Sequence, residues 1–167
     1  MKKIFTTALL IIAGAGIALF VWKRFFTSEE AVIAKRCRAL GEAASFSGDD
    51  GLAAIAIRGE RLKSLLADTC RVRLRTYEMN ETFSRDEIVS RHVALRQYWS
   101  SLSIHVYDSV VLEVGKAEAA VHFTARATAV EKSGRRNIQT VPVWASLKKV
   151  DGTWRFEEFR EENVFEK

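Results

Sequence analysis

From Ser103 to Val164, apolar and polar positions alternate with period two across three turn signals. This pattern predicts four long strands in an antiparallel meander. The turns are Val114-Gly115-Lys116-Ala117, Lys132-Ser133-Gly134-Arg135 and Asp151-Gly152, the last a strong two-residue hairpin signal. Pairing through the first turn sets Leu112 opposite Ala119, Val110 opposite Val121, Asp108 opposite Phe123 and Val106 opposite Ala125. That face is the core face, with Asp108 as its polar exception. The reverse face carries His105, Tyr107, Ser109, His122, Thr124 and Arg126. Pairing through the last turn sets Leu147 opposite Phe156 and Ala145 opposite Glu158, with Trp144, Lys148, Arg155, Glu157 and Phe159 on the reverse. Ile138 and Val141 both suit the core yet differ in parity. A β-bulge near Thr140–Pro142 would reconcile them and would accommodate a proline that has no ladder N–H to donate.

Upstream the period changes to that of a helix. Thr27 and Glu30 have capping-box spacing, and Ile33, Cys37, Leu40 and Ala44 then share one face. Ser47–Gly51 is a turn, with Asp50 placed to cap a second helix whose stripe is Leu52, Ile55, Gly59, Leu62 and Leu66. Gly59 in mid-helix costs about 1 kcal/mol relative to Ala, so either a neighbour packs close there or the helix breaks. Cys70, Val72 and Leu74 alternate with Arg71, Arg73 and Arg75. This reads as a charge-protected edge strand, or alternatively as a basic stripe for phosphate or anionic lipid. Ser84 with Glu87 forms a second capping box, and Phe83 with Ile88 a hydrophobic staple. The stripe that follows, Ile88, His92, Leu95, Trp99 and Leu102, places His92 on a buried apolar face.

One apolar run stands apart. Ile4–Trp22 carries no charge and as a helix would span about 28 Å, close to the hydrocarbon thickness of a bilayer. Basic residues flank it on both sides. It predicts a single-pass anchor over 1–28 that contacts lipid through 4–22, followed by one domain over 29–167. A cleaved signal peptide is the rival reading, with Ala13-Gly14-Ala15 as its small residues, but Ile17–Trp22 continues the run past them. The short Lys-rich head argues for a domain outside a bacterial inner membrane; Lys23, Arg24, Lys35, Arg36 and Arg38 argue the other way. The extracytoplasmic orientation is the expectation.

Composition changes the picture at two points. The net charge of +5 points at first to nucleic acid, but four of the 26 basic residues are Lys2, Lys3, Lys23 and Arg24 beside the anchor. The remainder nearly balances the 21 acidic residues, so no nucleic-acid partner is expected. Two cysteines cannot make a metal site alone. Cys37 and Cys70 read as small buried hydrophobes, or as one disulfide if the domain faces an oxidising compartment. No phosphate-binding loop, zinc spacing, Ser-His-Asp order or nucleophile elbow is present, and no metal or cofactor is expected.

Helices, a strand, a helix and then a bent meander form an unusual order. With Leu65–Val72 at the helix-to-strand junction and Asp151-Gly152-Thr153-Trp154-Arg155-Phe156 in the last hairpin, the chain from Glu29 onward resembles the NTF2-like superfamily, the SnoaL-like or ketosteroid-isomerase-like cone fold. The resemblance implies an α+β domain in which helices pack on a bent four- to five-stranded antiparallel sheet around an apolar pocket open at one end. Members of that superfamily include isomerases, dehydratases and cyclases, but also non-catalytic binding and assembly modules, some of them membrane-anchored. Fold alone does not choose among these.

The candidate chemistry follows the two faces. His92, Trp99, Asp108, Phe123 and Glu158 are the expected pocket residues, and His92, Asp108 and Glu158 the catalytic candidates. A buried His beside a carboxylate would make a general acid–base pair. No Tyr–Asp pair of the isomerase type can be placed, since Tyr98 falls off the buried stripe. The expected partner surface is the reverse face, with His105, Tyr107, His122, Arg126, Trp144 and Phe159, for a second copy or a component of a membrane complex. The leading expectation is a non-catalytic, membrane-tethered interaction module. The alternative is a pocket for a small apolar ligand with possible His/Asp acid–base chemistry.

Overall fold

The computed structural model describes residues 28–162. The chain divides into two units, Met1–Val32 and Ile33–Lys167; of the first only residues 28–32, the start of the first helix, are described, and the rest of the fold below is that of the second. The apolar run Ile4–Trp22 and Thr27 of the first capping box lie outside the described residues. Among the described residues, no helix is long and apolar enough to cross a membrane.

Helix α1 (Glu29–Ala44) starts from Ser28, whose hydroxyl accepts from the Ala31 N–H at 3.2 Å. Its buried residues include Ile33, Cys37 and Gly41. A Cβ on Gly41 would stand 2.8 Å from the Ile104 carbonyl oxygen, so only glycine lets the helix come this close to the sheet. Helix α2 (Leu52–Leu65) buries Gly59, Leu62 and Leu65. At Gly59 the helix continues unbroken, and a Cβ there would meet Val89 Cγ1 at 3.4 Å, an ordinary contact distance, so close packing does not account for this glycine. Two expectations for this helix are corrected. Asp50 does not cap it; Gly51 holds that position without a side-chain bond. Leu52 is 88% exposed, and Leu66 belongs to the following strand.

Strand β1 (Leu66–Leu74) leads through a short 3-10 turn at Arg75–Tyr77 into β2 (Met79–Ser84), then helix α3 (Arg85–Ala94). The Ser84–Glu87 capping box is present in full at the start of α3. The helix stops early, in a 3-10 turn at Leu95–Gln97, so Trp99 and Leu102 are not on it; they open strand β3 (Trp99–Val114). Strands β4 (Glu118–Glu131), β5 (Arg136–Val150) and β6 (Thr153–Glu161) complete the meander. The last turn has the expected left-handed pair, Asp151 at φ 50 and Gly152 at φ 73.

The six strands form one sheet in the order β2-β1-β6-β5-β4-β3. This corrects the expected four- to five-stranded antiparallel sheet in count and in kind, because β1 and β6 run parallel. The unforeseen strand is β2. It covers the flank of β1, so β1 is not an edge. Arg73 on β1 instead forms an ion pair with Glu158 of β6, 3.1 Å apart but without hydrogen-bond alignment.

Register decides which residues face the helices. β4 and β5 pair without interruption from Glu118↔Lys148 to Val130↔Arg136, through Thr124↔Pro142. The expected bulge near Pro142 is therefore absent. The parity conflict is resolved because Ile138 lies opposite Thr128 on the outer face, 48% exposed. The irregularities sit on the flanking pairs instead. Between Tyr107 and Val110 the β3–β4 register shifts, with Asp108 in the left-handed conformation at φ 52. Val110 is thereby set opposite His122, and Val111 takes its place opposite Val121. Between Ser146 and Leu147 the β5–β6 register shifts as well. Leu147 pairs with Phe156, but Ser146 pairs with Glu158 and Ala145 with Phe159. One inserted residue reverses the side-chain parity of everything beyond it.

The core gathers Ile33 and Cys37 from α1, Leu66 and Cys70 from β1, Val121 from β4, Leu147 from β5 and Trp154 and Phe156 from β6, all at most 1% exposed. Both cysteines are buried and free, which corrects the disulfide alternative. Burial pushes the Cys37 thiol up to about 12 and the Cys70 thiol up to about 11. The Cys70 thiol donates to the Phe156 carbonyl at 3.1 Å.

Candidate functional site

The cone is hollow at one end. A cavity of about 480 Å³ lies between the inner face of the sheet and the helices. Leu40, Gly41 and Ala44 of α1 wall one side, and Val72, Leu74, Met79 and Phe83 of β1 and β2 another. Ile104, Val106, Phe123, Ala125, Val143 and Phe159 form the sheet wall. Ile88, Arg91 and His92 of α3, with Leu95 just beyond it, form a further side, and Leu62, Leu66 and Leu102 complete the lining. Among the described residues, His92 and Arg91 are the only lining residues with ionisable side chains.

Capping places His92. The Ser84–Glu87 box fixes where α3 begins, and two turns later His92 comes onto the inward face, 8% exposed. Its Nε2 lies 2.9 Å from the Ala44 carbonyl oxygen at the end of α1. A carbonyl only accepts, so Nε2 carries the hydrogen and donates it. In the neutral ring Nδ1 is then a bare lone pair, and it is buried without a hydrogen-bond partner. Phe46 packs against the ring edge to face, with centroids 5.6 Å apart. Burial lowers the His92 pKa below its ordinary value; the bond to Ala44 opposes this, and the nearby Arg96 and Arg58 add to it. His92 is therefore a neutral imidazole near neutral pH.

The loop after α1 is held by charge. Asp50 takes the Ser47 N–H at 3.0 Å, Arg96 at 3.1 Å and Arg58 at 3.3 Å. These contacts, the Ser47 bond first, hold its carboxyl below the usual range. The two arginines also donate back to the loop, Arg58 to the Ser45 carbonyl at 3.0 Å and Arg96 to the Ser47 carbonyl at 3.3 Å. Arg96 stacks over Phe46 at 4.4 Å, and Phe46 in turn packs on His92. Arg91 stacks over Phe83 at 4.6 Å.

The expected site residues separate into three groups. His92 and Phe123 line the cavity. Asp108 is exposed on its bulge, and Trp99 is half-buried outside the lining. Glu158 faces outward to Arg73. Among the described residues no carboxylate therefore joins His92, and the His92–Asp108 acid–base pair is not assembled. On the outer face His105 stands opposite Arg126, Tyr107 opposite Thr124 and His122 opposite Trp144. Arg160 stacks over Trp144 at 4.4 Å, and His122 lies 3.0 Å from Glu162. Phe159 moves the other way: it lines the cavity and stacks on Phe156 at 5.3 Å. Arg91, Phe46 and the Ala44 carbonyl were not foreseen. Among the described residues, no group of three or more His, Cys, Asp or Glu side chains is placed to hold a metal ion.

No protein-family model matches the chain, and no curated protein matches it in sequence. Solved structures do match in shape. The Kfla4162 protein of Kribbella flavida is 14% identical, with a TM-score of 0.66 over 83% of this chain and 92% of that one. A candidate dehydratase of the NTF2-like family from Streptomyces avermitilis is 14% identical, with a TM-score of 0.60 over 81% of this chain and 97% of that one. A candidate scytalone dehydratase from Novosphingobium aromaticivorans is 20% identical, with a TM-score of 0.57 over 80% of this chain and 81% of that one. At such identities the likeness is one of fold: residues 28–162 adopt the NTF2-like α+β architecture.

Proposed function

We propose that the cone binds one small, largely apolar molecule. A single observation carries this reading: a cavity of about 480 Å³ walled almost wholly by apolar side chains, in a domain whose other end is tightly packed. The hollow is open on one side, so its apolar walls stay against water unless something occupies it. Its volume falls within the roughly 300–1,000 Å³ of small-molecule sites. Two structural neighbours bear dehydratase names, which suits a pocket of this kind. His92 is the one base here suited to proton transfer, and it has no carboxylate to orient it, so binding ranks ahead of catalysis. The test is calorimetric titration with naphthalene. Saturable binding of one molecule per chain is expected, lost in Ala125→Phe while circular dichroism stays unchanged. Absence of binding in the wild type, or equal binding by the folded variant, refutes the reading.

The outer face supports a second reading, contact with a protein partner. Val110 is 55% exposed there and Tyr107 40%, close to Trp144, and Ile138 adds apolar area further along. A Val110→Asp variant that leaves sedimentation and co-purification unchanged would dismiss it. Tethering through Ile4–Trp22 remains part of the proposal on the strength of its uncharged length and basic flanks. Recovery of the full chain in a carbonate-washed membrane fraction is its expected outcome, and recovery in the supernatant its refutation.

A further inference from the structure

Among the described residues that line the hollow, only Arg91 and Leu95 are exposed, and both belong to α3 or the turn after it. The mouth therefore opens beside them, while Leu62, Leu66, Phe83 and Phe123 are buried in the wall. Arg91 has no carboxylate within ion-pair distance among the described residues, although its neighbours do. Arg85 pairs with Asp68 at 3.1 Å, Arg96 with Asp50 at 3.1 Å, and Lys63 of α2 with Asp86 at 2.7 Å. Glu87 stands one turn before Arg91, at the spacing of a helix ion pair. Its carboxylate is turned back to Ser84 instead, taking the backbone N–H at 2.7 Å and the hydroxyl at 2.9 Å. The box that caps α3 thus withholds the partner that Arg91 would have on its own helix. The guanidinium lies over the ring of Phe83, its carbon 4.6 Å from the centroid. Phe83 belongs to the wall, so this unpaired charge is held beside the mouth, where a ligand can reach it.

We propose that the hollow takes a single-chain amphiphile with a carboxylate head, of the fatty-acid kind. The chain fills the apolar interior and the carboxylate pairs with Arg91 at the mouth. The proposal rests on the cavity being a binding site and names the chemistry that site selects. The walls present almost no polar surface, so a polar group carried inside would lose its water and gain no partner. The polar end of a ligand must then stay at the mouth, and Arg91 decides its sign. A planar guanidinium meets a carboxylate through two parallel N–H···O bonds, each stronger than a bond between neutral groups. One guanidinium answers one negative charge, whereas an ammonium head would meet a charge of its own sign.

The test is calorimetric titration of the full chain at neutral pH with decanoate, 1-decanol and decylammonium, each below its micelle-forming concentration, beside naphthalene. Decanoate is expected to bind roughly tenfold more tightly than 1-decanol, and decylammonium to be the weakest of the three chains. Added sodium chloride should narrow the gap, because the ion pair forms at a solvated mouth. Arg91→Gln should bring decanoate down to the level of 1-decanol, Arg91→Lys should keep part of the preference, and Arg91→Glu should transfer it to decylammonium. Decanoate and 1-decanol binding within about twofold of each other in the wild type, or a preference unchanged in Arg91→Gln, overturns this inference and leaves the pocket standing. Naphthalene binding without any of the three chains does the same. Failure of all four probes to bind overturns both. The wild-type series and its salt dependence decide the matter even where a variant does not fold.

Discussion

The two ends of the cone share a sheet and differ in what fills it. Toward the Asp151–Gly152 hairpin, Trp154, Phe156 and Leu147 are each at most 1% exposed, as are Ile33 and Cys37 of α1. Toward the far end, Ala125, Val143 and Phe159 face open space across from His92. Both ends are apolar. What separates them is size and shape: large rings and branched chains interlock at the first, while Ala125, Gly41 and Ala44 leave room at the second. A hollow of this kind follows from the choice of side chains, since the backbone ladder from β4 to β5 runs unbroken through both ends.

The largest expected effect breaks the packed end. Phe156→Ala should cost about 3–5 kcal/mol in urea unfolding, because its neighbours cannot collapse into the space left behind. A loss below about 1 kcal/mol would mean that this end is no better packed than the other. Next comes the loop that closes the hollow end. Asp50→Ala leaves Arg58 and Arg96 without their shared carboxylate, and about 2 kcal/mol of stability should go with it. The same variant should release Phe46 from its place beside His92, which would appear as faster proteolysis near Ser45–Asp50. Protection unchanged in that loop would show that packing alone holds it.

Much of this contrast was legible in the residues, and the exceptions have physical causes. The three turns and the Ser84–Glu87 box carry local chemistry that no tertiary contact had to complete. His92 was legible as inward-facing because a helical period needs only its own helix. The inner and outer sets of β3 and β6 were not, since each depends on a one-residue slip. Asp108 carries a weak mark of its bulge, because aspartate tolerates the left-handed region better than most residues. Glu157 and Glu158 carry none, so Phe159 and Glu158 were exchanged between faces. β2 escaped notice because Asn80, Glu81 and Thr82 interrupt its apolar positions. Trp99 and Leu102 continue the spacing of α3 by coincidence, past its actual end. The Ala44 carbonyl, half of the His92 contact, has no side-chain signature to read.

A smaller effect distinguishes the ends by pH. His92 has its pKa lowered by burial, so the unfolded chain takes up a proton more readily than the folded one. Its contribution is complete above the ordinary histidine value of about 6.5 and declines as pH falls through the lowered folded value, by at most about 1.4 kcal/mol per pH unit. The depressed carboxylates, Asp50, Asp86, Glu87, Glu131 and Glu161, contribute above their ordinary values of 3.8 or 4.5 and are lost only in more acid solution. Unfolding free energy should therefore fall as pH drops below about 6.5 in the wild type, and this part of the slope should be absent in His92→Gln. An identical slope in the variant would assign the decline to other groups.

The smallest expected effect separates the two ends most sharply. Val121 and Val143 both point inward from adjacent central strands, β4 and β5, but Val121 is fully buried in the packed end and Val143 lines the cavity. Adding one methylene to each is the same chemical change in two surroundings. Val121→Ile must push rings and backbone apart and should cost about 1–3 kcal/mol. Val143→Ile extends into space that no protein atom holds, so its cost should lie within about 0.5 kcal/mol of zero, or turn into a slight gain. The cavity should shrink by the added group, and naphthalene affinity should move while stability does not. Equal penalties at the two positions would mean that the hollow closes in solution, and the case for a bound molecule would close with it.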